Sequence, residues 1–318
     1  MNEVVIGIDT SNYRTSLSAV TTDGVIVLNH RTLLPVSHGD RGLRQSDAVF
    51  SHIRQFQSVD NLLRETAANY RIIAVAASVS PADGETSYMP VFQAGKTIGQ
   101  LIAACLNIPF FPTTHQRGHL AAAAAGTELS DAERYLAMHL SGGTTDLLLV
   151  DHDSIRRIGC GLDLHAGQLV DRAGVAMGLG FPAGPELEQL ALNGTEHSLL
   201  GCSMEGNDLN CHFSGAEAQI SRWIRDGNIS REDIACEVYS LLARTFARMA
   251  SAGYRDSGIR QLLVTGGIAS SPLFRRMFTE RIAKLRLPVN PVIGKPEFCG
   301  DNAVGVALIG IHRLQTGR

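Results

Sequence analysis

The stretch VVIGIDTS, residues 4–11, predicts the fold of this chain. Its apolar, largely β-branched run ends in polar residues, and an alternating run, Thr15–Val20, follows it. This pattern predicts a buried strand, a polar turn and a returning strand. A similar unit occurs near the middle, where Tyr135–Leu140 precedes SGGTTD (residues 141–146) and a second apolar run. The repetition indicates that the chain contains a duplication.

Helical patterns alternate with these strands. An apolar strand, Ile72–Val79, lies between helical stretches at Ser46–Ala68 and Ala94–Leu106. Strands that alternate with helices predict an α/β fold. The polar stretch Thr127–Arg134 and the length of 318 residues predict two domains. We expect them at residues 1–130 and 131–318, with the last helix packing back on the first domain.

Composition excludes several classes of protein. With 44% hydrophobic and 19% charged residues, the chain is typical of a folded protein and unlike a disordered one. Its 28 basic and 31 acidic side chains give a net charge of −3, so the whole chain offers no general attraction to nucleic acid or anionic membrane. No stretch approaches the ~18 apolar residues that a membrane span needs. We expect a cytoplasmic protein without membrane contact.

Polar turns follow three of the predicted strands. They are Asp9-Thr10-Ser11, Ser141-Gly142-Gly143-Thr144 and Thr265-Gly266-Gly267. Glycine lets backbone N–H groups approach an anion and hydroxyls add donors, so such turns can hold nucleotide phosphates. Each turn alone matches no phosphate-binding fingerprint and is more typical of an ordinary turn. Together they favour a nucleotide cleft between two domains.

Two histidines, His115 and His119, lie four residues apart. On a helix they would share one face and could bind a metal ion, and the alternative is an exposed polar helix start. Gln116 stands where a zinc protease of the H-E-x-x-H type has its glutamate, which disfavours peptide hydrolysis. Asp301 could complete a metal site or cap the helix that follows it, and spacing alone favours the cap.

Seven segments match short motifs that occur together, in this order, in one protein family. They are H-x-x-x-H at residues 115–119, S-G-G-x-T at 141–145, A-G-x-x-x-D-K/R at 166–172, P-x-G-P at 182–185, F-S-G at 213–215, G-G at 266–267 and P-E-F-C-x-D-N at 296–302. The chain thereby resembles the universal tRNA threonylcarbamoyltransferase family, also known as the O-sialoglycoprotein endopeptidase or glycoprotease family. The resemblance implies the actin-like fold of sugar kinases and Hsp70-like ATPases, with two duplicated RNase H-like domains.

The resemblance also implies an activity and its site. The family transfers a threonylcarbamoyl group from threonylcarbamoyl-adenylate to N6 of the adenosine just 3′ of a tRNA anticodon. By analogy, His115, His119 and Asp301 bind one divalent metal, iron or zinc. An adenine nucleotide or acyl-adenylate would contact Asp9, Thr10, Ser11, Ser141, Gly142, Gly143, Thr144, Asp171, Gly184, Gly266, Gly267 and Ser271.

Several positions depart from the family pattern. The family segment E-T-S-C-D-E-T reads DTSNYRT at residues 9–15, so Tyr13 and Arg14 replace two acids. Further replacements are Thr144 for a histidine, Gln168 for a glutamate, Ser271 for an asparagine and residues 80–87 for a G-P-G loop. The segments that the resemblance assigns to the metal and the nucleotide match the family pattern better than the segments that would face the acceptor. This pattern predicts a divergent member with an altered acceptor or acyl group.

Two classes of function compete. One is a metal-dependent acyltransferase that uses an adenylate donor in the interdomain cleft. The other is a non-catalytic nucleotide-binding subunit of a true transferase, or a paralogue that acts on another acceptor. Three metal ligands favour catalysis, because a scaffold has no need of them. The charge balance implies that tRNA is reached through partner proteins, in a hetero-oligomer or homodimer, and that the chain alone supports tRNA threonylcarbamoylation poorly.

Overall fold

The chain divides into two compact units. The computed structural model describes residues 1–11, 13–35, 43–84 and 87–317. One unit comprises Met1–Ala125 and Gly300–Arg318, and the other comprises Gly126–Cys299. The sequence predicts a boundary near residue 130 and a last helix that packs back on the first domain, and residues 300–318 group with the first unit.

The first unit is built on one mixed sheet. Up to residue 125 its elements are β1 (Glu3–Thr10), β2 (Arg14–Thr21), β3 (Ile26–Leu33), α1 (Gln45–Ser58), α2 (Asp60–Asn69), β4 (Arg71–Ser80), α3 (Phe92–Leu106), β5 (Phe110–Thr114) and α4 (His115–Ala124). The strand order is β3-β2-β1-β4-β5. Strands β1, β2 and β3 are antiparallel neighbours, and β4 and β5 run parallel to β1.

The second unit repeats this connectivity. Its elements are β6 (Arg134–Leu140), β7 (Thr145–Asp151), β8 (Ser154–Cys160), α5 (Ala166–Ala176), α6 (Gly184–Ala191), β9 (Ser203–Glu205), β10 (Asn210–His212), α7 (Ser214–Asp226), α8 (Arg231–Ser257), β11 (Gln261–Thr265), a 3-10 turn (Gly267–Ser270), α9 (Pro272–Lys284), β12 (Asn290–Ile293) and α10 (Pro296–Cys299). The main sheet has the order β12-β11-β6-β7-β8. Strands β6, β7 and β8 are antiparallel neighbours, and β11 and β12 run parallel to β6 on its other side, as β4 and β5 do beside β1. The prediction of a duplicated α/β fold is confirmed.

The last helix, α11 (Val304–Thr316), covers one face of the first unit's sheet. Its Gly310 lies against Ala76 of β4, while Gly99 of α3 lies against the neighbouring Ala77. Successive residues of a strand point to opposite faces, so the sheet lies between α11 and α3. Burial on both faces explains why residues 4–8 of β1 and 72–77 of β4 are continuously apolar instead of alternating.

One element differs from its prediction. The sequence predicts a single helix over residues 46–68, but the structure has α1 and α2, which meet at Val59. The side chain of Val59 is buried in the first unit's core, so the bend places an apolar residue inward. No helix within the described residues is long and apolar enough to span a membrane.

Candidate functional site

Three side chains singled out by the sequence converge in the first unit. Helix α4 begins at His115 because the side chain of Thr114 caps it by accepting a hydrogen bond from the backbone N–H of Arg117. The Nε2 atoms of His115 and His119 are 3.1 Å apart. Oδ1 of Asp301 lies 3.2 Å from Nε2 of His119 and 3.8 Å from Nε2 of His115. We call these three residues the metal cluster, because each offers one ligand atom and these atoms lie within 4.8 Å of one another.

Asp301 does not cap α11, although spacing alone favours that role. The Oδ1 atom of Asn302 accepts a hydrogen bond from the backbone N–H of Val304 at 3.0 Å. The N-cap residue of α11 is Ala303, and the carboxylate of Asp301 contacts the histidines instead of the helix.

Two residues of the first polar turn hold the cluster in place. Nδ1 of His115 lies 2.9 Å from Oδ1 of Asp9, and the hydroxyl of Ser11 donates to Oδ2 of Asp301 at 2.6 Å. An ionised carboxylate only accepts, so Nδ1 of His115 carries the proton and its Nε2 faces the cluster. A carboxylate behind a ligating histidine is a common arrangement in metal sites. The sequence assigned Asp9 and Ser11 to the nucleotide, whereas the structure places their side chains against the metal cluster.

Sequence reasoning missed His52, which positions the same turn. Its ring is fully buried, with one nitrogen 2.9 Å from the carbonyl oxygen of Ser11 and the other 2.7 Å from the hydroxyl of Thr15. Burial lowers the pKa of His52 despite its hydrogen bond to Ser11 and the charge of Asp9, so the ring is neutral and can donate through one nitrogen and accept through the other. His52 lies on a predicted helix and belongs to no motif, so the sequence gives no signal for its contact with the first polar turn.

The electrostatics of the cluster fit a cation. Burial disfavours protonation of His115, but the charge and hydrogen bond of Asp9, together with the charge of Asp301, outweigh it and raise the pKa of His115 to about 9. Burial likewise opposes ionisation of Asp301, but hydrogen bonds from His119 and Ser11 and the charges of both histidines hold its pKa well below the ordinary value. Two imidazole nitrogens and a carboxylate oxygen that face one another need a cation among them, and a proton or a divalent metal meets that need. Two nitrogens and one carboxylate oxygen are ligands that zinc and iron(II) accept.

The raised pKa of His115 predicts how the metal-free protein responds to pH. A folded-state pKa of about 9, above the ordinary 6.5, adds stability that is complete below pH 6.5 and is lost as the pH rises through 9. We expect Asp9→Asn to remove most of this loss, since the opposing charge is gone. Thermal melts of metal-free wild type and Asp9→Asn between pH 6 and pH 10 check this. Parallel curves for the two proteins would contradict it.

Thr10, the middle residue of the first polar turn, and Arg14, which follows the turn, do not contact the ligand atoms of the metal cluster. The hydroxyl of Thr10 donates to the carbonyl of Val91 at 2.9 Å and accepts from the N–H of Gly95 at 3.2 Å, so it joins β1 to the start of α3. Arg14 donates to the backbone carbonyl of Asp301 at 3.3 Å. Asn12 and, in the 80–87 loop, Glu85 and Thr86 lie outside the described residues.

The second unit contains the glycine-rich turn. Ser141 donates its N–H to the carbonyl of Thr144 at 2.8 Å, and its own carbonyl accepts from the N–H of Gly167 in α5 at 3.0 Å. Gly142 and Gly143 are exposed, and a Cβ added at either would meet nothing within 4 Å. Space therefore remains beside the Cα atoms of both glycines, while the backbone N–H of Gly143 donates to the hydroxyl of Ser141 at 3.3 Å.

The two glycines after β11 differ in role. Gly266 has φ +97°, and a Cβ there would lie 2.3 Å from the carbonyl oxygen of Leu140, so the contact between β6 and β11 requires glycine. Gly267 faces open space.

The remaining predicted residues meet around Tyr239, which the sequence did not single out. Asp171 accepts a hydrogen bond from the N–H of Ala183 at 2.9 Å, and burial raises the pKa of Asp171 although the N–H groups of Ala183 and Gly184 oppose the change. The buried hydroxyl of Tyr239 donates to the carbonyl of Gly184 at 3.1 Å and also contacts the side chain of Ser271. Asp171, Gly184 and Ser271 are thus brought together.

Comparison with known sequences identifies one protein family. The family model described as tRNA N6-adenosine threonylcarbamoyltransferase matches residues 57–308. A protein of that name from Thermofilum pendens is 28% identical, and the alignment covers 98% of this chain and 90% of the relative. Another from a Sulfurihydrogenibium species is 27% identical, with 98% and 91% covered.

Comparison with solved structures identifies the fold. HypF from T. kodakarensis superposes with a TM-score of 0.64 at 14% identity over 99% of this chain and 48% of HypF, so the chain spans about half of that protein. A ROK family glucokinase from Streptomyces griseus, solved with glucose and AMPPNP, gives 0.53 at 12% identity, with 96% and 98% covered. The actin-like fold expected from the sequence is confirmed.

Proposed function

Because the chain belongs to the tRNA N6-adenosine threonylcarbamoyltransferase family, we propose that it is a metal-dependent acyltransferase that uses an adenylate donor. The acyl group would be of the threonylcarbamoyl type, and the acceptor the N6 amine of an adenosine in tRNA. The observation that carries the proposal is the metal cluster of His115, His119 and Asp301, which retains three ligand atoms in a divergent chain.

Residues of the first unit would hold the metal during the transfer reaction. In the transfer, the amine nitrogen bonds to the donor's carbonyl carbon, the bond from that carbon to the phosphate oxygen breaks, AMP leaves, and the amine loses a proton. A divalent metal, when bound, would supply Lewis-acid stabilisation of the charge that develops. His115, His119 and Asp301 would hold it, Asp9 would orient His115, and Ser11 would orient Asp301.

Residues of the second unit would hold the donor nucleotide. The Cα atoms of Gly142 and Gly143 in the Ser141–Thr144 turn face open space, and backbone N–H groups in such a turn suit phosphate. The carboxylate of Asp171 in α5 accepts from the N–H of Ala183, directly before Gly184 at the start of α6, and Ser271 caps α9 by accepting from the N–H of Phe274. These placements support the assignment of Asp171 and Gly184 to the nucleoside.

Gly143→Val tests the nucleotide assignment. Position 143 faces open space, so the fold tolerates a side chain, but the valine would cover the backbone that a phosphate must approach. We expect AMP affinity to fall by about 10-fold or more, the loss of one or two hydrogen bonds to a charged group, as measured by calorimetry. Gly201→Val, at another open glycine of the same unit, is the matched control. Equal AMP affinity in wild type and folded Gly143→Val would reject the placement.

Mass spectrometry of tRNA nucleosides tests the function itself. Metal-loaded protein is incubated with threonylcarbamoyl-adenylate and tRNA from cells that lack the modification, with Asp301→Asn as the inactive control. A threonylcarbamoyl adenosine that forms only with the wild type supports the proposal. An unmodified tRNA pool, with the donor consumed no faster than in buffer, contradicts it.

We further predict that the chain alone rescues a cell depleted of its own transferase only partially. Tyr13 and Arg14 replace two acids of the family pattern, and a net charge of −3 gives tRNA little counterion release. Growth and the level of the modified nucleoside measure the rescue. Full rescue of both would show that these departures do not impair the activity.

A further inference from the structure

Arg14 places a positive charge beside the metal cluster. It is the first residue of β2, half-buried, and its guanidinium donates to the backbone carbonyl of Asp301 at 3.3 Å. Its own carbonyl accepts from the N–H of Ser11 at 3.1 Å, which closes a tight turn. Through this turn Ser11 contacts the carboxylate of Asp301 while Arg14 contacts its backbone.

The formal charges around the cluster do not cancel. With a divalent metal bound and His115 neutral, the carboxylates of Asp9 and Asp301 balance the metal's two charges. Arg14 then leaves one positive charge, since no carboxylate in the described part of the chain forms an ion pair with it. The acid that the family pattern has at this position would instead leave one negative charge. The replacement therefore reverses the sign of the charge that substrate meets.

We propose that Arg14 and the metal cluster together bind an oxyanion group of the substrate, a carboxylate or a phosphate. The inference rests on the proposed function only in requiring a bound divalent metal. A guanidinium offers several N–H donors in a planar fork that matches two oxygens of such a group. Among the described residues, the guanidinium forms one hydrogen bond, to the Asp301 carbonyl, which leaves most of its donors available. Arg14 is thus a specificity-determining residue that selects a substrate with an anionic group next to the reacting centre.

Cobalt substitution tests this without measuring activity. Co2+ bound to the cluster absorbs in the visible region, and the spectrum changes when an anion joins its ligands. The Co2+ protein is titrated in separate arms with acetate and with inorganic phosphate. The arm with the higher affinity shows which oxyanion the site prefers.

We expect Arg14→Gln to weaken oxyanion binding by about 10- to 100-fold, the range for a lost charge-assisted contact. Co2+ affinity should change by less than about 3-fold, since the ligand atoms remain and so do Asp9 and Ser11, which hydrogen-bond the ligand side chains. Arg14→Lys, which keeps the charge but not the fork, should lie between wild type and Arg14→Gln and guards against a folding defect in the latter. Arg64→Gln, on the exposed surface of α2, is the matched control.

The outcomes separate this inference from the proposed function. Oxyanion affinities that are equal in wild type and Arg14→Gln, or the absence of saturable binding in both arms, overturn the inference alone. A failure of the wild type to bind Co2+ overturns both. Oxyanion binding that depends on Arg14, in a protein that transfers no acyl group to tRNA, supports the inference and overturns the proposed acceptor.

Discussion

Replacing His119 by alanine is expected to abolish stoichiometric metal binding. Its Nε2 lies 3.1 Å from Nε2 of His115 and 3.2 Å from the carboxylate of Asp301, so its removal deletes one of three ligands. Changes to groups that merely support ligands already cost about 10- to 100-fold in affinity. Loss of a ligand should therefore exceed about 100-fold. Elemental analysis after dialysis against a weak chelator measures the metal content.

Two variants make this result interpretable. His119 is buried, so circular dichroism must show that His119→Ala folds, and Asp301→Asn removes a second ligand without creating a cavity. His152→Ala, at a histidine whose side chain is 66% exposed in the second unit, is the control and should keep its metal. A folded His119→Ala protein with one metal ion per chain would contradict the assignment of His119 as a metal ligand.

Gly305→Ala is expected to destabilise the first unit and to disturb the metal cluster from a distance. A Cβ at this position in α11 would lie 1.9 Å from the carbonyl oxygen of Gly118 and 2.6 Å from the backbone nitrogen of Ala122, both in α4. Backbone atoms cannot rotate aside, so the two helices must separate. We expect a loss of about 3 kcal/mol, the upper end for overpacking, and a melting temperature lower by roughly 6–12 °C.

The same change should weaken metal binding, because α4 holds two ligands and the third precedes α11. Gly215→Ala is the matched control, since it adds the same methyl group to a helical glycine with open space around it. Alanine is the better helix former, so this control should melt no lower than the wild type. A Gly305→Ala protein with wild-type melting temperature and metal affinity would show that the helices move apart at little cost.

Local patterns predicted most of the fold. The apolar runs that became β1 and β6 and the turns after them are set by residues close together in sequence, as is the start of α4. The two histidines were also predictable as a pair, because a four-residue spacing on a helix fixes their common face. The single helix predicted over residues 46–68 is wrong, because the structure has two helices that meet at Val59, a residue buried in the first unit's core.

Contacts between residues far apart in the chain could not be predicted from local sequence patterns. Asp301 lies 182 positions from His119, and the first backbone N–H of α11, that of Val304, bonds to Asn302 instead of Asp301. The roles of Asp9 and His52 depend on which side chains the sheet and α1 bring near the cluster. Only the family resemblance joined Asp301 to the histidines before the structure was known.

The discontinuity of the first unit has a consequence for synthesis on the ribosome. Residues 126–299 form a continuous unit whose residues are all synthesised before residue 300, whereas the first unit also contains residues 300–318. Until then its sheet lacks α11 on one face, and the two histidines lack their carboxylate partner. A chain terminated before residue 300 would therefore contain the whole second unit but no complete metal cluster, and any metal that the cluster binds would be acquired late in synthesis.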